Sequence, residues 1–166
     1  DTLLSNSLGT KNYYLFGLYA HRGRLITYMI YFIISLFHYM YGLSIIELFG
    51  IDKITLEYCR RYLTPSLIYT FFIIQFSVNY RILCIFEKTV ACITILAIPT
   101  ILHPVWCHIF INVLGKNIYG AGISMIISQA IAAILITLYM HFKNPQKETY
   151  FMINADCFRG WYDYIK

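Results

Sequence analysis

Charge is scarce in this chain: of 166 residues, 13 are Lys or Arg and 8 are Asp or Glu, which makes 13% charged. An ordinary soluble domain is roughly a quarter charged, so the sequence holds too little polar surface to fold as one. The short motifs of common chemistry are missing as well. There is no glycine-rich phosphate loop, no His-Glu-x-x-His, no Gly-x-Ser-x-Gly and no paired acid set. These absences argue against an enzyme, a membrane-embedded one included.

What fills the chain is apolar, with 59% hydrophobic residues and a mean hydropathy of +0.61. Four stretches, 24–50, 62–86, 89–115 and 118–142, run 25 to 27 residues each. A helix rising about 1.5 Å per residue needs about 20 residues to cross the hydrocarbon core, so each stretch can span. A cleaved secretory signal has a single apolar region of about 7–15 residues near the start and does not explain four. The expected fold is all-α, a polytopic membrane protein with four transmembrane helices and the lipid bilayer as solvent.

Around the spans, residues 1–23 read as the end of a preceding helix, a cytoplasmic loop and an interfacial segment carrying Tyr13, Tyr14, Phe16 and Tyr19. The link 51–55 is short enough to send the second span back antiparallel, with Pro65 expected in its first turn. Residues 154–166 read as a cytoplasmic amphipathic interfacial helix, with Asn154 as N-cap and Phe158, Trp161, Tyr162 and Ile165 on one face. A chain that opens on Asp1 and closes on Lys166 just after such a helix is expected to be a piece of a longer polypeptide.

A net charge of +5 would point to nucleic acid in a soluble protein, but position matters more here. Lys11, Arg22, Arg24, Arg81, Lys88, Lys143, Lys147, Arg159 and Lys166 fall on one side of the spans, nine against the four of Lys53, Arg60, Arg61 and Lys116. The positive-inside rule makes both ends cytoplasmic, and no nucleic-acid partner is expected. Of the five cysteines only Cys59 lies near an outer loop, so no internal disulfide is expected.

Polar groups inside the spans are the candidate site. Thr100, Pro104, His108 and Asn112 lie four apart in the third span, with His103 and Trp106 beside them. Such a stripe either lines a substrate or proton path, helped by the Thr100 carbonyl that Pro104 leaves unpaired, or ties helices together around a kink at Pro99 and Pro104. Gln75 and Asn79 in the second span, Ser35 and His38 in the first, and Gln129 in the fourth read mainly as interhelical ties, with Gln75 and Asn79 kept as pathway candidates. Gly120, Ser124, Ser128 and Ala132 set small residues at four-residue spacing for close helix packing. His103, Cys107 and His108 are soft ligands without a fourth partner, so no metal is expected.

The wording of these segments resembles the multidrug and toxic compound extrusion (MATE) transporters, especially their eukaryotic, plant-type branch. Asp1-Thr2-Leu3, Gly9, Gly17, Tyr19 and Arg22 match the end of that family's second helix, with Ser5-Asn6 in place of Gly-Gln and His21 in place of Gln. His103, Trp106, Leu114-Gly115 and Gly120-Ala121 match its fifth and sixth helices. Asp156-Cys157-Phe158-Arg159-Gly160-Trp161 is similar to the segment leading into its seventh. Around Tyr80-Arg81-Ile82-Leu83-Cys84 the family's glutamines are absent.

The resemblance implies that the spans are the third to sixth helices of an N-terminal six-helix lobe in a twelve-helix transporter. It implies an antiporter that exports organic cations, drugs or other amphipathic xenobiotics by alternating access, in exchange for H⁺ or Na⁺ and with no other cofactor. The partner would be a second lobe beyond this chain, holding most of the ion-coupling acids. The host would be the plasma membrane or a vacuolar or other endomembrane. The alternative is a non-transporting structural subunit of a membrane complex, in which the polar pairs serve only as helix ties.

Overall fold

Capping side chains and one left-handed glycine set the ends of the first long hairpin. The structure, a computed structural model, describes residues 2–143 and Cys157. A short helix, α1 (Thr2–Gly9), leads into α2 (Tyr13–Leu48), where the Asn12 side chain accepts from the Leu15 amide at 3.1 Å. The run expected as an interfacial approach is therefore the helical beginning of α2. Phe16, Leu18 and Ala20 are buried there, and that packing outweighs the helix-weakening Gly17 and Gly23.

At the far end of α2, Gly50 takes φ +74°, the left-handed conformation that stops a helix and that side chains disfavour. Asp52 then caps α3 (Lys53–Ile85), accepting from the Ile54 and Thr55 amides at 3.1 and 3.0 Å and from the Thr55 hydroxyl at 2.7 Å. The Thr55 hydroxyl, followed by these amides, holds the exposed Asp52 carboxyl below its usual pKa. Because this cap starts the helix at Lys53, Pro65 lies well inside α3 and is fully buried, where a first-turn position was expected. At about 1.5 Å per residue α2 and α3 are about 54 and 50 Å long, so both project beyond a hydrocarbon core of about 30 Å.

The third span begins as α4 (Thr89–Cys107), with Pro99 and Pro104 inside it, and continues as a π-helical segment (His108–Val113). There the hydrogen-bond ladder lengthens, the Leu114 amide reaching the Ile109 carbonyl at 2.9 Å. The last helix, α5 (Asn117–Lys143), is the most enclosed of the spans and packs on both α3 and α4. No strand occurs among the described residues.

One apolar cluster joins the four long helices near the α3–α4 turn: Phe16 and Ala20 from α2, Ile82 and Leu83 from α3, Cys92 and Ile95 from α4, Ile136 and Met140 from α5. Along α5 the small residues Gly120, Ser124, Ser128 and Ala132 are all buried. Gly122 makes a closer approach still: a Cβ there would sit 2.4 Å from Pro65 Cβ and 2.8 Å from its Cγ. Elsewhere the exterior is apolar, with residues such as Ile33, Phe32 and Ile101 at 67%, 60% and 74% exposure. Water would reject a surface of this kind and hydrocarbon accepts it. Apart from the buried Cys157, the amphipathic helix expected over 154–166 lies outside the described residues.

Candidate functional site

Gln75 and Asn79 sit one turn apart on α3, so their side chains share a face. That face meets α2 and α5. Arg24 Nη2 donates to Asn79 Oδ1 at 2.7 Å, and the Tyr28 hydroxyl donates to Gln75 Oε1 at 2.6 Å. From the same two amides, Asn79 Nδ2 and Gln75 Nε2 reach Thr137 Oγ1 on α5 at 3.0 and 3.4 Å. The Thr137 hydroxyl donates in turn to the Ala133 carbonyl at 2.7 Å. Every polar atom of the two amides that the network uses is thus matched donor to acceptor, which is what a low-dielectric interior demands.

One turn further along α2, the Tyr31 hydroxyl donates to the Leu67 carbonyl at 2.5 Å, and Tyr28 stacks on Phe71 with ring centroids 5.3 Å apart. Tyr28, Phe71, Phe72, Gln75 and Thr137 line an open aromatic groove of about 400 Å³ on the outer side of the network. Arg24, Tyr28 and Thr137 were not singled out in the sequence. The four-residue spacing of Arg24 and Tyr28 was the available signal, masked by counting Arg24 only as an end-of-span charge.

A second polar group lies between α4 and α5. His103 Nδ1 is 2.9 Å from Ser128 Oγ, and Cys107 Sγ is 3.3 Å from His103 Nε2. A neutral imidazole satisfies both contacts, one ring nitrogen donating and the other accepting. Thr100, His103, Pro104, Ser128 and Gln129 line a cleft of about 220 Å³. Nearby, Trp106 Nε1 is buried without a partner among the described residues.

The stripe drawn through Thr100, Pro104, His108 and Asn112 runs along the side of the third span that is exposed in this chain. The Thr100 hydroxyl donates to the Leu96 carbonyl at 2.8 Å, and Asn112 Nδ2 lies 3.2 Å from His108 Nδ1. The structure therefore divides the candidates. His103 faces α5, while His108 and Asn112 pair on the outer face, at the π-helical segment. Ser35 is half-buried and His38 exposed, its ring lying over Gly42 of its own helix. Among the described residues no group of three or more His, Cys, Asp or Glu gathers to hold a metal.

The family model described as MatE matches residues 1–109, from α1 to the beginning of the π-helical segment. The chain belongs to the MatE family. Comparison with curated proteins and with solved structures gives no match. MatE proteins are membrane efflux transporters, and this MatE chain is an all-α, multi-pass membrane protein with four helices long and apolar enough to cross a lipid bilayer. Both polar groups of the MatE chain, Gln75–Asn79 and His103–Ser128, use α5, which lies past the matched residues.

Proposed function

We propose that this chain forms part of one lobe of a secondary antiporter, which exports organic cations or other amphipathic compounds by alternating access in exchange for H⁺ or Na⁺. The MatE match across α1 to α4 carries the reading, since it covers the helices that hold most of the candidate site. Alternating access needs a lobe with polar groups on a face that a second lobe can open or close upon. His108 and Asn112 supply such a face, exposed in this chain, and the exposed Thr100 stands at its edge beside the cleft to α5. The proline and π-helical interruptions make that helix the element with freed backbone groups beside the pathway.

In this reading the chain is the third to sixth helices of a six-helix lobe, both its ends are cytoplasmic as the nine-to-four asymmetry of basic residues requires, and the host is the plasma membrane or an endomembrane. The wording of the plant-type branch favours a eukaryotic-type member. Gln75 and Asn79, whose bonds are closed within the bundle, act as ties between helices, and His108 with Asn112 contacts the substrate.

The test is efflux by the full-length protein in proteoliposomes. Replacing His108 and Asn112 together by Ala should lower efflux of a cationic substrate about tenfold, the worth of one hydrogen bond to a charged group. Unchanged efflux would remove the pair from the pathway.

A further inference from the structure

All five cysteines are free thiols, and two of them meet. Cys84 lies in the last turn of α3 and Cys92 in the first turn of α4. The connection between them is tight. The Glu87 amide donates to the Cys84 carbonyl at 3.0 Å, the Lys88 amide to the Leu83 carbonyl at 2.9 Å, and the Cys92 amide to the Lys88 carbonyl at 3.3 Å. These bonds hold the two helix ends in one register, with the Cys84 and Cys92 thiols in hydrogen-bond contact. The Tyr80 hydroxyl, one turn back on α3, touches the Cys84 thiol as well.

The two sulfurs differ in access. Cys92 is 0% exposed, inside the apolar cluster with Leu83 and Ile95. Cys84 is half-buried and lines a cleft of about 590 Å³ with Ser77, Tyr80 and Ile85. The charged residues Glu87 and Lys88 mark the polar end of these spans, and Cys84 lies three residues before Glu87. That is about 4.5 Å of helix rise, so a water-borne reagent reaches Cys84 without crossing the hydrocarbon core.

We infer that Cys84 and Cys92 form a reversible modification site, which exchanges with a low-molecular-weight disulfide such as glutathione disulfide and closes to a disulfide across the α3–α4 turn. The Cys84 thiolate attacks one sulfur of the small disulfide, whose S–S bond breaks; one small thiolate leaves and takes up the proton that Cys84 gave, and Cys84 carries a mixed disulfide. The Cys92 thiolate then attacks the Cys84 sulfur, and the second small thiolate leaves with the proton from Cys92. Two protein thiols are oxidised to one disulfide, and one small disulfide is reduced to two thiols. The contact between the sulfurs makes the second step intramolecular, so the mixed disulfide does not accumulate. A dithiol that opens and closes in this way agrees with the expected lack of a permanent disulfide, since those of the cytosol are transient and redox-sensing. The site rests on this contact and not on transport; the orientation proposed above decides only which thiol pool it meets.

The experiment equilibrates the purified full-length protein in glutathione buffers of increasing oxidised fraction, blocks free thiols with N-ethylmaleimide and identifies unreduced peptides by mass spectrometry. A peptide linked through Cys84 and Cys92 should grow with the oxidised fraction and be lost on adding dithiothreitol. Cys92→Ala should lose the linked peptide and leave Cys84 carrying one glutathione. Cys84→Ser should lose it too and leave Cys92 carrying none, because the buried thiol has no access of its own. Should Cys92→Ala lower the yield of folded protein, a brief maleimide pulse on the reduced wild type decides the order, with Cys84 labelled first. No linked peptide at any oxidised fraction, or Cys84 joined to a different cysteine, would overturn the site. Glutathione on Cys92 of Cys84→Ser, or Cys92 labelled first in the pulse, would overturn Cys84 as the entry thiol.

Discussion

Gly122→Val is expected to abolish accumulation of folded protein in the membrane. A valine Cβ would lie 2.4 Å from Pro65 Cβ, and the neighbour is a ring with no alternative rotamer to retreat into. Overpacking a core ordinarily costs about 1–3 kcal/mol, and a contact this short against a rigid ring belongs at or above the top of that range. Thermal unfolding of the detergent-solubilised protein should show the loss, and Pro65→Gly in the same chain should restore part of it by removing both contacting atoms, Cβ and Cγ. Gly9→Val is the control, since a Cβ there meets nothing within 4 Å. Wild-type stability for Gly122→Val would mean that α5 does not approach α3 this closely.

The second large effect falls on Asn79. This residue is 0% exposed and holds helices on both sides, accepting from Arg24 and donating to Thr137. Asn79→Leu keeps the side chain's heavy-atom branching but strips Arg24 of that acceptor inside the bundle. The expected loss is about 1.7 kcal/mol, the upper end measured for interhelical hydrogen bonds in membranes. Thr137→Val should cost less, about 0.6 kcal/mol, because both amides keep their bonds to α2. If the two substitutions cost the same, the arginine contact adds nothing to the tie. A double-mutant cycle between positions 79 and 137 would then report the direct bond alone.

Much of this architecture was legible because hydrocarbon imposes a simple rule: four apolar runs long enough to cross had to be helices, since no other open-chain structure closes its own backbone hydrogen bonds. Where the helices begin was harder to read. Residues 13–23 and 53–61 are polar or interfacial, so apolarity gave no reason to join them to the spans, and the joining rests on single side chains, Asn12 and Asp52, closing the first turns. The π-helical segment depends on hydrogen-bond register after Pro104, which has no composition signature. The polar groups divide along the same line. The spacing of Gln75 and Asn79 displayed one shared face, whereas their partners Arg24, Tyr28 and Thr137 lie 47 to 62 positions away, and only tertiary packing brings them in. Four-residue spacing likewise grouped His108 with Thr100, and both are exposed in this chain. It could not say that His103, one step round, is the histidine that meets α5.

The central claim is that the third span turns a polar face toward an aqueous pathway of an efflux transporter. Cysteine accessibility tests it most directly. In the full-length protein with its native cysteines replaced, single cysteines at Thr100, Asn112 and Ile101 would be challenged with a membrane-impermeant maleimide from each side of sealed vesicles. All three positions are exposed in this chain, so only their surroundings distinguish them. The account predicts labelling of Thr100→Cys and Asn112→Cys, reduced by a transported substrate, and no labelling of Ile101→Cys, which faces lipid. Protection of Thr100→Cys and Asn112→Cys from the reagent on both sides, with or without substrate, would contradict it.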